Sequence, residues 1–106
     1  MGIASKIKRA QEDGMTYIIF WSPGCPYSEE AKKLGLKIRS NGEKVRIIKV
    51  SHIANRTEIE RDATEMASVI PQSTTQYGVS WPQIFKLSKH KIKHLSGGYE
   101  EFSRTV

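Results

Sequence analysis

Residues 16–21, T-Y-I-I-F-W, are an unbroken run of β-branched and aromatic side chains that stops at Pro23-Gly24. A strand of this composition suits the centre of a sheet, buried on both faces, and so predicts a layered α/β domain. Directly after it, Cys25-Pro26 opens a helical pattern in which Ser28, Ala31, Leu34 and Ile38 share a face. Glu29, Glu30, Lys32, Lys33 and Lys37 point mostly to water. Pro26 fits the first helical position, and the two glutamates suit the positive end of the helix dipole. Ser40-Asn41-Gly42 is a turn, and 45–50 (V-R-I-I-K-V) reads as a second strand. Strand, helix, strand implies a parallel pair with a right-handed crossover.

The remaining segments are arranged around this unit. Ile3, Ala4, Ile7 and Ala10 recur at helical spacing before Gly14, which predicts a short amphipathic opening helix. Thr57 with Glu60 forms a capping box for a further helix, whose apolar stripe is Ile59, Ala63, Met66, Ala67 and Ile70 and which Pro71 ends. A polar loop at 72–78 leads to strands at 81–87 and 91–95, joined by Ser88-Lys89-His90. Gly97-Gly98 punctuates before a short final helix from Tyr99 or Glu100. No repeat or linker interrupts the 106 residues, so a single domain is expected.

Composition excludes several classes. One cysteine forbids an intrachain disulfide, and no stretch approaches the roughly 20 apolar residues of a membrane helix. The amino-terminal residues lack the apolar core of a signal peptide. A soluble cytoplasmic protein in a reducing compartment is expected. Lys and Arg number 17 against 11 Asp and Glu, a net charge of +6. That balance admits anionic partners, but the basic residues are scattered, with local concentrations only at 6–9 and 86–93. Nucleic acid is not an expected partner, because no aromatic-plus-basic recognition motif accompanies the charge. His90 and His94 would lie about 13 Å apart at roughly 3.3 Å per residue, too far to share one metal ion. No metal site is expected.

Cys25 follows the buried strand, comes after a Pro-Gly turn and stands where a helix begins. Unpaired backbone N–H groups and the helix dipole at such a place stabilise a thiolate, the nucleophilic form of the side chain. A lone cysteine is also commonly a small buried hydrophobe, so position by itself leaves both roles open.

Cys25-Pro26-Tyr27-Ser28 resembles the active-site motif of glutaredoxins, usually C-P-Y-C, with serine in place of the second cysteine. Three further features fall in that family's order. They are the strand before the cysteine, Ser80-Trp81-Pro82 at the position of the cis-proline of thioredoxin-like proteins, and Gly97-Gly98 followed by acidic residues. F-W-S at 20–22 and Y-G-V at 77–79 are similar to thioredoxin segments, and W-P-Q-I-F at 81–85 is similar to phage-type members. Ser22 stands where many glutaredoxins carry a lysine, and Val79 and Trp81 also depart from the usual pattern.

The resemblance implies a thioredoxin-like fold, α/β with a central four-stranded mixed sheet flanked by helices. It implies a thiol–disulfide oxidoreductase with Cys25 as nucleophile and glutathione as cosubstrate, with no bound cofactor. Its partners would be glutathionylated or disulfide-containing proteins, and it would be a monomer. Because the Ser28 hydroxyl is far too weakly acidic to act as a resolving thiolate, the implied route is monothiol. By the same resemblance Tyr27, Trp81, Pro82, Gly97, Gly98 and Glu101 would bind glutathione. Trp81 beside Pro82 would pair with the cysteinyl backbone, helix-start N–H groups would receive a carboxylate, and Glu101 would receive the ammonium. Pro26 and Ser28 would shape the motif. Two alternatives stay open: a dithiol reductant, for example of ribonucleotide reductase, in which Ser28 replaces a resolving cysteine, and a glutathione-dependent iron–sulfur cluster protein.

Overall fold

The computed structural model describes residues 2–50, Met66 and 81–106. In chain order these form α1 (Ile3–Glu12), β1 (Tyr17–Trp21), α2 (Pro26–Ser40), β2 (Val45–Lys49), β3 (Gln83–Leu87), β4 (Ile92–His94) and α3 (Gly98–Thr105). The four strands make one sheet in the order β2-β1-β3-β4. β1 pairs in parallel with β2 (Ile19 opposite Ile47) and antiparallel with β3 (Ile19 opposite Ile84), and β3 pairs antiparallel with β4.

The apolar run in β1 is explained by what covers each side of it. Ile18 and Phe20 pack with Ile3, Ile7 and Ala10 of α1, with Phe85 and Leu87, and with Met66. Tyr17 and Ile19 pack on the opposite face with Ala31, Val45, Ile84, Leu95 and Phe102, under α2 and α3. Each fully buried isoleucine or phenylalanine removes enough apolar surface from water to contribute about 1.5–3 kcal/mol. Alternation along one strand thus holds two cores together, and every position from Tyr17 to Phe20 is buried.

Two helical faces differ from the sequence pattern. In α1, Ala4 is exposed, because Ile3, Ile7 and Ala10 alone supply the i, i+4, i+7 stripe that meets the sheet. In α2 the buried residues are Ser28, Ala31 and Gly35, while Leu34 and Ile38 flank that line and are only partly covered. Gly35 lets the helix lie close on the sheet, since a Cβ there would stand 2.6 Å from Ile19 Cδ1.

Strand and helix ends fall within two residues of the sequence expectation, and α3 starts at Gly98. Met66 is helical and fully buried. The capping box of Thr57 and Glu60, the rest of the Met66 stripe, Pro71, the 72–78 loop, Val79 and Ser80 lie outside the described residues. Among the described residues no helix is long and apolar enough to cross a membrane.

Candidate active site

β1 delivers the chain to Pro23-Gly24 at the carboxyl end of a central strand, and α2 begins immediately afterwards. Cys25 is the N-cap residue of α2, with extended backbone (φ −101°, ψ 118°), and Pro26 follows at the first helical position. The Cys25 carbonyl accepts the first helical hydrogen bond from Glu29 N–H at 2.9 Å. Its thiol does not cap the helix and instead lies 3.5 Å from the Trp81 carbonyl oxygen, to which it donates. The side chain is half-buried, so a reagent can approach the sulfur from the open side. The first N–H groups of a helix have no partner within it, and the positive end of the helix dipole favours negative charge on a side chain at the N-cap position.

Trp81 precedes Pro82 through a cis peptide bond, as the proline motif implies. Cys25, Tyr27, Trp81, Pro82, Gly97 and Gly98 all line one open groove of about 540 Å³, completed by Gln83, Ser96, Tyr99 and Glu100. Six residues singled out from sequence therefore converge, although the chain separates them by more than 70 positions. Tyr27 is 60 % exposed beside the cysteine, and its ring lies 6.5 Å from that of Tyr99 across the groove.

Pro26, Ser28 and Glu101 take other places. Pro26 is exposed on the first turn of α2. Ser28 is fully buried behind the cysteine, where its hydroxyl oxygen accepts a hydrogen bond from Ser22 N–H at 2.6 Å. Glu101 turns back on its own helix, and its Oε1 accepts the Gly97 N–H at 2.8 Å, satisfying a donor that the helix start leaves unpaired. That contact explains the first glycine, because a Cβ on Gly97 would meet Glu101 Cβ at 2.9 Å. Gly98 is required for a different reason: its φ of +65° is a left-handed conformation that side chains disfavour by roughly 1–2 kcal/mol.

Sequence reasoning did not single out Tyr99, Glu100 or Gln83. Tyr99 and Glu100 had a usable signal, since they follow the double glycine directly and share its helix start. Gln83 had none that depends on spacing. Its Oε1 lies 2.7 Å from His94 Nε2 of β4, and since a carboxamide oxygen only accepts, that ring nitrogen carries the hydrogen. Burial pushes His94 below the ordinary histidine range, against an opposing pull from Glu101. The ring is accordingly neutral near pH 7.

The structure is similar to that of oxidised glutaredoxin 2 from Chlamydomonas reinhardtii, with a TM-score of 0.55 at 20 % identity over 99 % of this chain and 85 % of that one. The chain has the thioredoxin-like fold of a glutaredoxin. No protein-family model matches it, and no curated protein matches its sequence. In this glutaredoxin-like fold the half-buried cysteine, the Trp81 carbonyl before the cis-proline and the double glycine occupy one surface. The chemistry that such an arrangement supports is attack by a sulfur nucleophile on a ligand laid along the groove. Among the described residues no group of three or more His, Cys, Asp or Glu gathers to hold a metal ion.

Proposed function

We propose that the protein is a thiol–disulfide oxidoreductase that uses Cys25 to exchange glutathione mixed disulfides by a monothiol route. The observation that carries this reading is the position of the Cys25 thiol, half-buried at the N-cap of α2 and 3.5 Å from the carbonyl of the residue before a cis-proline. The C-P-Y-S motif and the likeness to a solved glutaredoxin support it further.

In the first step the Cys25 thiolate attacks the glutathione sulfur of a protein–glutathione disulfide. A Cys25–glutathione bond forms, the protein–sulfur bond breaks, and the protein thiolate leaves to take a proton from water. A second glutathione thiolate then attacks the glutathione sulfur on Cys25, releasing oxidised glutathione and restoring the Cys25 thiolate. In balance the protein sulfur is reduced from disulfide to thiol and the sulfur of the incoming glutathione is oxidised from thiol to disulfide, while the glutathione sulfur that arrives within the substrate stays in a disulfide throughout. Ser28 cannot shorten this cycle, because its buried hydroxyl is engaged by Ser22 and is not a thiolate at neutral pH.

Glutathione would lie with its cysteinyl backbone along Trp81 and its γ-glutamyl carboxylate at the start of α3, where N–H groups point outward. Gly97, Gly98, Tyr27 and Pro82 shape that path. Glu101 meets the ammonium with the oxygen not engaged by Gly97, and Glu100 lines the groove next to it.

Intact mass after incubation with oxidised glutathione tests the reading, with Cys25→Ser as control. One glutathione adduct on the parent protein, none on the control, and rapid removal by reduced glutathione is the expected result. No adduct on a thiol that alkylates readily would reject the glutathione assignment.

A further inference from the structure

The groove beside Cys25 is unevenly charged. Three aromatic side chains, Tyr27, Trp81 and Tyr99, form its walls, and Glu100 is the ionised group that lines it. No lysine, arginine or histidine lines the groove among the described residues. The Glu100 side chain is exposed and makes no ion pair or hydrogen bond with a described residue. Glu101, the adjacent acid, already accepts the Gly97 N–H. Among the described residues, a chain with net charge +6 thus presents an unpaired carboxylate and no cation at the mouth of its nucleophile.

From this we infer that the groove selects disulfides whose cysteine is flanked by basic residues, with Glu100 as the specificity determinant. The inference rests on the exchange chemistry proposed for Cys25. Glutathione brings one ammonium and two carboxylates, and Glu100 matches only the ammonium. A peptide segment with lysine or arginine next to its disulfide matches Glu100 directly and lays its alkyl stems on the aromatic walls, where a cation also meets the faces of the rings. An acidic flank meets like charge without a compensating base.

The overall charge of +6 would attract any anion from a distance, so the local preference has to be measured with the net charge of the substrate held fixed. Two isomeric peptides achieve this. One carries lysines on both sides of a single cysteine and glutamates at the ends, and the other has the lysines and glutamates exchanged. Each is prepared as its mixed disulfide with thionitrobenzoate. Attack by the Cys25 thiolate on the peptide sulfur forms the Cys25–peptide bond and expels thionitrobenzoate, which is coloured, while intact mass identifies the adduct. Each rate is divided by that of 2-mercaptoethanol with the same peptide, which removes the intrinsic effect of the flanks on disulfide reactivity.

The lysine-flanked peptide is expected to react about twofold to fivefold faster, the range of an exposed ion pair. That ratio should fall to near one in Glu100→Gln and at high salt, and invert in Glu100→Lys. A ratio of one or less in the parent protein, or a ratio unaltered by Glu100→Gln, would overturn the inference. Exchange with neither peptide, by a thiol that still alkylates, would instead overturn the proposed reaction and the inference along with it.

Discussion

At the scale of single residues, the serine that replaces a second cysteine in the motif has a structural task. Ser28 is 0 % exposed, and its oxygen is the acceptor for Ser22 N–H at the point where β1 ends. Removing that oxygen strands a buried backbone donor, which costs about 1–3 kcal/mol. Ser28→Ala should therefore lower the urea-denaturation free energy by that amount, and a change under 0.5 kcal/mol would mean that water reaches the Ser22 N–H. Much of this site was legible in advance. Cys25, Trp81, Pro82, Gly97 and Gly98 carry signals that survive in sequence: a helix start after a buried strand, a proline before a strand and a paired glycine. The hydrogen bond from Gly97 N–H to Glu101 is not legible, because a carboxylate near a helix start can bind a ligand, satisfy its own backbone or do both, and sequence alone does not show that one of its oxygens is engaged by the backbone. Periodicity makes Ser28 one position of an apolar helical face and does not show which backbone donor its hydroxyl meets.

At the scale of elements, the angle and distance at which α2 lies on the sheet decide where Cys25 points. Periodicity places α2 correctly in the chain and identifies Ser28 and Ala31 as inward positions, but it continues the contact line through Leu34 and Ile38 and passes over Gly35. The helix approaches instead along Ser28, Ala31 and Gly35, with the smallest residue at the closest point. A pattern of apolar letters registers which side is inward and carries no measure of distance, so a glycine at the contact scores as a gap. Gly35→Val tests this packing. Its β-carbon would stand 2.6 Å from Ile19 Cδ1 and 3.4 Å from Ile47 Cδ1, and Ile19 itself is fully buried. Overpacking of this kind costs about 1–3 kcal/mol, more than the helix-propensity gain on leaving glycine. Reduced thermal stability, with a changed rate of Cys25 alkylation, is the expected outcome. Unchanged stability would show that α2 can ride higher on the sheet without penalty.

Over the whole molecule, charge is distributed along β3 between two different ends. Its first residue, Gln83, lines the groove with Glu100, whereas Lys86 near its other end faces Lys93 directly across the β3–β4 pair. Lys91 lines the same shallow cleft as these two, beside Thr105 of α3. Among the described residues the ion pairs are Lys33 with Glu30 and Arg46 with Asp13, and neither involves the hairpin. Like charges directly opposite in a sheet destabilise it, while an opposite-charge pair there contributes about 0.2–1 kcal/mol. Lys93→Glu should accordingly raise the urea midpoint at low salt. Added salt should raise the midpoint of the parent protein, because screening weakens repulsion between exposed charges once the Debye length falls to about 8 Å at 0.15 M. The same salt should narrow the advantage of Lys93→Glu. Urea is the denaturant of choice because it is uncharged and leaves the ionic strength to be set independently. A parent midpoint insensitive to salt, or a Lys93→Glu protein less stable than the parent, would mean that the hairpin lysines are compensated by acidic groups elsewhere in the chain. In that case the excess charge of +6 would not act as a repulsive load on the fold.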